Sequence, residues 1–380
     1  MTITQVYQLA NDATKEVLGE SALISEDWSN LVDVGSSISN ALGFEKFYNA
    51  LVNRIGRMWF VDRPYKGKYR SIFRDAWEFG SIVGKVQAEL IDATENDSWQ
   101  IVNGASYDPY VVSLPVVSCK FYNKAVTFEL DITTPVDQIK QSFANANEMM
   151  RFLSMLETMV NNSMELKIEA FTERAICNLL GATISDNAAP RVVHLLTEYN
   201  ANHTPTIATA AAALDNPDFL RFVVSTLLIA KGQLKDYSTL FNLGGEPRHT
   251  PSDLLHVIVN DILASKVKTH LQSQTYHKDL VELPLYEEVS KWQGVGTTGS
   301  FADRTTIKAS VVLDDGTTAS VDKAYIVACM FDHDAVGVLQ PDRKVTTAYN
   351  PKAEYYNAFH KWHSRFFNDF NENAVVFVID

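Results

Sequence analysis

The spacing of apolar and polar positions changes period several times along the chain, and each change predicts an element. From Ser39 to Ile55, Leu42, Phe47, Leu51 and Ile55 recur at helical intervals, and Gly56 ends that period. The segment from Arg57 to Asp92 reads as strands around a loop. Within it Ile82, Gly84, Val86, Ala88 and Leu90 alternate with Val83, Lys85, Gln87, Glu89 and Ile91, the two-residue period of a half-exposed strand. Past a turn at Asn123-Lys124, Val126, Phe128, Leu130 and Ile132 share one face, and Thr127, Glu129 and Asp131 the other. Thr134-Pro135-Val136-Asp137 then carries the signals of a helix start: a capping hydroxyl, a proline at the first helical position and an early acid. Met150, Leu153, Leu156, Val160, Met164, Ile168, Phe171, Ala175 and Leu179 step by three or four. They predict a spine helix over 148–180, ~50 Å long at 1.5 Å per residue, with Gly181 as its C-cap.

Beyond residue 190 the pattern is mixed. Asn216-Pro217 opens a helix with Phe219, Leu220, Val223, Val224, Leu227 and Leu228 on its apolar side. Leu254 to Val259 reads as a buried strand, followed by a helix from Asp261 to Leu271. Tyr286 to Gln293 reads as a short amphipathic helix. Asp315-Gly316 marks a hairpin, and Ala324 to Val338 continues as strand. Val375 to Ile379 is unbroken apolar sequence, so it must be covered on both faces by a sheet laid down earlier.

Composition narrows the function. The chain has 380 residues, 46% hydrophobic and 21% charged, ordinary globular usage and enough for two domains or one elaborated fold. Its net charge of −13 argues against gripping nucleic acid over a broad surface, which requires an excess of Lys and Arg. Cys119, Cys177 and Cys329 are sparse and lack a Cys-x-x-Cys pair, arguing against disulfides and structural zinc; Cys177 falls on the spine's apolar stripe and reads as core. The N-terminus lacks the basic and apolar regions of a secretory signal. The longest apolar stretch, Phe222 to Ala230, is far short of the roughly 20 residues that span a bilayer, so no membrane association is expected.

Candidate chemistry is thin. Gly294-Val295-Gly296-Thr297-Thr298-Gly299 matches the dinucleotide fingerprint in letters, but the fingerprint works only where a strand enters and a helix leaves. A helix before it and a strand after it favour a surface loop. Asp332-His333-Asp334, with His360 and His363, offers metal-ligand types. The aromatic surroundings of the two later histidines favour packing. No nucleophile elbow, P-loop or HExxH occurs, and no cofactor, metal or enzymatic activity is expected. The basic stretch says more. Arg54, Arg57, Arg63, Lys66, Lys68, Arg70 and Arg74 interleave with Trp59, Phe60, Tyr65, Tyr69 and Phe73. Such a strip can stack on single-stranded nucleic acid, dock on the acidic surface of a neighbouring subunit, or remain solvated. The acidic whole favours docking, with Arg57, Arg63, Lys66, Lys68, Arg70 and Arg74 at a subunit interface.

Three stretches carry a family likeness. They are Phe47-Tyr48-Asn49-Ala50-Leu51-Val52-Asn53-Arg54-Ile55-Gly56 ahead of the loop, the helix from Met150 to Leu180, and a tail. The tail runs Asn350-Pro351-Lys352-Ala353-Glu354-Tyr355-Tyr356-Asn357, an aromatic helix, and Asn373-Ala374-Val375-Val376-Phe377-Val378. Together they resemble the major capsid proteins of tailed bacteriophages, the Hong Kong 97-type fold, and most nearly those of small short-tailed podoviruses. The resemblance implies an α+β chain with an N-terminal arm (1–55), an extended E-loop (56–110), a peripheral domain with the spine helix (111–190), an axial domain (191–344) and a C-terminal return to the peripheral domain (345–380). It implies a subunit that assembles with its own copies into pentamers and hexamers, an icosahedral head enclosing double-stranded DNA. It also implies scaffolding and portal partners, assembly in the host cytoplasm and a place in the virion. The alternatives are an encapsulin-like compartment shell of the same fold and an α/β nucleotide-binding enzyme using the glycine loop.

Overall fold

In a computed structural model the structure describes residues 11, 12, 15, 63–74, 83–91, 93–100, 102–122, 125–135, 146–270, 286–293, 304–353 and 355–380. The expected helix over Ser39–Ile55, Arg57 and the Gly294–Gly299 loop lie outside these residues. The chain forms two compact units. One comprises Met1–Tyr65, Leu130–Asn162 and Val345–Phe359; the other comprises Lys66–Glu129, Ser163–Lys344 and His360–Asp380.

The described elements are, in chain order, β1 (Phe73–Arg74), β2 (Val83–Ala88), β3 (Val117–Tyr122), β4 (Ala125–Pro135), α1 (Ala146–Asp186), β5 (Val192–His194), α2 (Leu195–Asn202), α3 (Ala210–Leu214), α4 (Pro217–Gln233), β6 (Leu255–Asn260), α5 (Asp261–His270), β7 (Glu287–Val289), β8 (Ile307–Val312), β9 (Thr318–Lys323), β10 (Ile326–Asp332), β11 (Val336–Asn350), β12 (Tyr355–Asn368) and β13 (Ala374–Val378). Strands order as β1-β11-β12-β4 in one sheet and β5-β13-β10-β6-β7 in another, with two-stranded pairs β2-β3 and β8-β9.

The five-stranded sheet explains the apolar C-terminal run. β13 pairs parallel with β5 and antiparallel with β10, and every residue of β10 and β13 is buried. Alternate side chains enter different cores. Val375 and Phe377 meet Val257, Val259, Phe219, Leu220 and Leu263 on the face covered by α2, α4 and α5. Val376 and Val378 meet Ile258, Cys329, Ile176 and Leu180 on the face covered by the end of α1. The C-terminal strand thus belongs to this sheet rather than to that of β4, which β12 joins. α4 begins where the sequence reading placed it: the Asn216 side chain accepts from the amides of Asp218 and Phe219 at 2.9 and 3.2 Å.

α1 is longer than its pattern predicts, 41 residues and ~60 Å. Gly181 is interior to it, not a cap. A Cβ there would stand 2.9 Å from the Ala309 Cβ and 3.6 Å from Val311, so the glycine admits the β8-β9 hairpin against the helix. Gly181→Val is expected to cost about 1–3 kcal/mol by overpacking, read as a lower midpoint in urea; an unchanged midpoint would show that the hairpin can shift freely. The hairpin turns at Gly316, whose φ of 82° suits a residue without Cβ.

Three further expectations are corrected. Thr134 and Pro135 continue β4 instead of opening a helix. The short helix expected over Tyr286–Gln293 does not form: Glu287–Val289 make strand β7, held parallel to β6, with Val289 buried at its end and Trp292 buried just beyond. The aromatic tail segment is strand β12, not a helix. Its alternation is visible in buried Trp362 and Ser364 against exposed His363.

In the smaller unit, Asn162 organises the chain locally. Its Oδ1 accepts from the Tyr65 amide at 2.7 Å and its Nδ2 donates to the Arg63 carbonyl at 2.9 Å. The β11-β12 turn is an Asx turn in which Asn350 Oδ1 accepts from the Lys352 and Ala353 amides at 3.0 and 3.3 Å.

Candidate functional site

β2 and β3 form an antiparallel ribbon in register from Val83 opposite Tyr122 to Ala88 opposite Val117. One more bond, from the Glu89 amide to the Val116 carbonyl at 2.9 Å, prolongs it. Between the strands, the described residues of 89–116 include a 3-10 turn at Asp97–Trp99 and an Asx turn at Asp108, whose carboxylate accepts from the Tyr110 amide at 2.9 Å. Its last part, Tyr110–Val117, is apolar and bare, and Trp99 stands exposed ahead of it. Trp99 and Tyr110 are each 85% exposed, Val112 80% and Leu114 78%; Val111, Val116 and Phe121 are exposed as well. Scattered exposed apolar residues are ordinary; a contiguous exposed run such as Tyr110–Val117 is the kind of surface found at protein contacts.

The base of the ribbon is fixed by charge. Lys85 and Lys120 stand directly opposite each other in the ladder, an unfavourable pairing unless an anion lies between them. That anion is Asp369, in the turn from β12 to β13, with a fully buried carboxylate. Lys85 Nζ donates to Asp369 Oδ2 at 2.6 Å and to Glu372 Oε1 at 2.7 Å. Lys120 Nζ donates to Asp369 Oδ1 and to Asp314 Oδ2, both at 2.8 Å. Burial would raise the Asp369 carboxyl, but the charge of Lys85 and the bonds from both lysines outweigh it and hold it below the usual carboxylate range. Burial likewise opposes the charge on Lys120, and its bonds to Asp314 and Asp369 raise it regardless. Gln87 donates to Glu372 and accepts from Arg248 at 2.7 Å, and Tyr122 stacks on Phe367 at 4.6 Å.

The basic residues singled out in the sequence disperse. Arg63 and Lys66 are exposed. Lys68 and Arg70 converge on one turn of α1, with Lys68 Nζ 3.8 Å from Glu169 and Arg70 3.0 Å from Glu165. Gly67 lets the loop lie close there, since a Cβ would meet Glu165 Oε2 at 3.0 Å. Arg74 goes elsewhere. It pairs with Asp334 at 2.5 Å, donates to the His333 carbonyl at 2.9 Å and lies over the Phe367 ring at 5.4 Å. Lys68, Arg70 and Arg74 are therefore engaged within their own chain.

The candidate metal ligands are likewise separated. Asp332 accepts from the Asp334 amide at 2.8 Å, Asp334 takes Arg74, and His363 shares a bond with Thr127 at 2.7 Å. Among the described residues no cluster of three His, Cys, Asp or Glu could hold a metal. His333 Nδ1 instead meets His256 Nε2 at 2.9 Å. Burial, then the neighbouring His333 and Arg74, pushes the His256 imidazole down to about 4. A base with a depressed folded value is bound by protons first in the unfolded chain, so stability falls as pH drops from about 6.5 towards 4. Thermal melts across that window should show the loss, and His256→Gln should lessen it, the remainder falling to His333, which burial also depresses; an unaltered slope in the variant would assign the effect elsewhere.

Sequence reasoning missed the ribbon's apolar run and the Asp369 anchor. The run lay in plain view as Tyr110-Val111-Val112-Ser113-Leu114-Pro115-Val116-Val117 but reads as an ordinary strand, and nothing local ties Lys85 to a residue 284 positions later.

Three features dominate the described residues: the 41-residue α1, the five-stranded core sheet and the ribbon with its exposed apolar run. Solved structures share this fold. A chain of the Staphylococcus phage Andhra capsid is 9% identical with a TM-score of 0.55, covering 86% of this chain and 87% of that one. A chain from native bacteriophage P68, in a structure of its head fiber and inner core protein gp22, is 10% identical with a TM-score of 0.55, covering 86% and 88%. A search of curated protein sequences finds no match. The family model of the Phi29-like phage major capsid protein matches residues 10–378, and the chain belongs to that family. It is a structural capsid protein of the virion with the Hong Kong 97-type α+β fold, and it assembles with copies of itself. No helix among the described residues is long and apolar enough to cross a membrane.

Proposed function

We propose that this subunit forms the pentamers and hexamers of an icosahedral head enclosing double-stranded DNA, and that the β2-β3 ribbon is the arm by which each copy clasps its neighbour. The observation that carries this reading is the bare apolar run from Tyr110 to Val117, with exposed Trp99 ahead of it, which a single chain leaves in water. On this reading the E-loop is the ribbon with its flanks. The spine helix and the β4 sheet make the peripheral domain, and the five-stranded sheet with α2, α4 and α5 makes the axial domain around the symmetry axes. Contacts of modest size, repeated over many copies, then close a shell. Exposed Arg63 and Lys66, with Arg57, remain candidates for contact with an acidic neighbour, whereas Lys68, Arg70 and Arg74 act by seating the loop on its own subunit.

A net charge of −13 suits a shell that encloses DNA without gripping phosphates, since strong attachment hinders packing and release. The subunit carries no catalysis in this role. Scaffolding and portal partners, assembly in the host cytoplasm and a small short-tailed podovirus as source complete the proposal. Expression with a scaffolding partner, followed by size fractionation and electron microscopy, tests it. Closed shells, tubes or hexagonal sheets are expected. A persistent monomer of 42.5 kDa at high concentration, with and without the partner, would contradict it.

A further inference from the structure

We propose that the Lys85–Asp369–Lys120 clasp is a positioning device for assembly: it sets the direction in which the ribbon leaves the subunit and thereby the curvature of the shell. The proposal rests on the ribbon being the arm that reaches a neighbour.

Three observations carry it. Two lysines face each other across one rung of the ladder, and both aim at opposite oxygens of a single carboxylate. That carboxylate is fully buried, so water and salt screen the clasp far less than a surface pair. Asp369 is itself fixed at both ends, its amide donating to the Ala335 carbonyl at 2.8 Å and its Oδ1 accepting from the Asn371 amide at 3.1 Å. Further charges complete the setting from each side. Asp314 receives Lys120, Glu372 receives Lys85, and Arg248 stands 3.8 Å from Glu372.

A buried ion triad is a poor way to gain stability, because desolvation cancels much of the attraction. It is a good way to fix geometry, since only one orientation of the ribbon satisfies both lysines at once. Remove the central charge and the two ammonium groups repel, so the ribbon loses its set angle while both cores of the five-stranded sheet remain.

Asp369→Asn, which keeps the shape, tests this by two readouts. In the unassembled subunit, hydrogen exchange of the β2-β3 amides should quicken at least about tenfold while β10 and β13 keep their protection. In assembly, the variant should give shells of broadened or altered diameter. Should Asp369→Asn fail to fold, Lys120→Met removes one arm of the clasp while leaving Asp369 paired with Lys85, and is read the same way; Lys85→Arg, which keeps the charge, should keep near-normal exchange and diameter. Unchanged β2-β3 exchange overturns the proposal. So does a variant that melts at a lower temperature yet assembles shells of normal diameter, the pattern of a merely stabilising contact. Failure of the unaltered protein to assemble would count against the shell reading, and the exchange measurement would still decide the clasp.

Discussion

Replacing Tyr110, Val112 and Leu114 with Asp is expected to leave the subunit folded and to abolish shell formation. None of the three supports the fold, since each is more than three-quarters exposed and lies outside both hydrophobic cores. In a shell each would be covered by a neighbour, and burying one such side chain is worth ~1.5–3 kcal/mol. The substitutions remove that gain and would bring three carboxylates into a contact with no partner for them, a further cost of several kcal/mol. Because the contact repeats around every ring, the deficit multiplies. The expected result is a far-ultraviolet spectrum and melting temperature like those of the unaltered subunit, with no particles by light scattering. Particles forming at the usual concentration would show that the run is not an interface.

The second large effect lies in the core. Phe377→Ala should cost about 3–5 kcal/mol, a large part of the 5–15 kcal/mol that typically holds a domain. Phe377 is fully buried on β13, an interior strand of the five-stranded sheet, paired with Val193 of β5 on one side and Ala328 of β10 on the other. Its ring contributes to the cluster that joins the sheet to α2, α4 and α5, so the cavity cannot close by movement of one surface element. Denaturant unfolding should show the loss, and at 37 °C much of the protein should be insoluble. A midpoint within experimental scatter of the unaltered protein would mean that this sheet is not the centre of the unit's stability.

What could be read from the sequence was whatever local period determines. The five apolar residues at the C-terminus demanded cover on both faces and received it. Asn216-Pro217 announced the start of α4, and alternation from Val126 to Ile132 matched the observed burial residue by residue. Where two periods coexist, the reading failed. His360, His363, Phe366 and Phe367 are spaced as a helix could use them, but the buried alternation of Trp362, Ser364 and the pairing to β4 and β11 make a strand. Gly181 looked like a helix end because glycine often is one; its reason lies 128 residues away, in Ala309. The basic stretch shows the same limit of local reading. Seven neighbouring cations suggested one surface, yet Lys68 and Arg70 turn to α1 while Arg74 turns to Asp334, and side-chain direction across a tertiary contact leaves no mark on a linear charge count. The Asp369 anchor joins ribbon strands to a turn 249 and 284 residues onward, beyond any local pattern.

The claim that the ribbon is the arm between copies is tested most directly by an electron cryomicroscopy map of the assembled shell at a resolution that traces residues 89–116. The account predicts Trp99, Tyr110, Val112 and Leu114 packed against an adjacent subunit, with Lys85 and Lys120 still on Asp369 at the ribbon's base. A ribbon folded back on its own chain, or left in solvent within a complete shell, would contradict it.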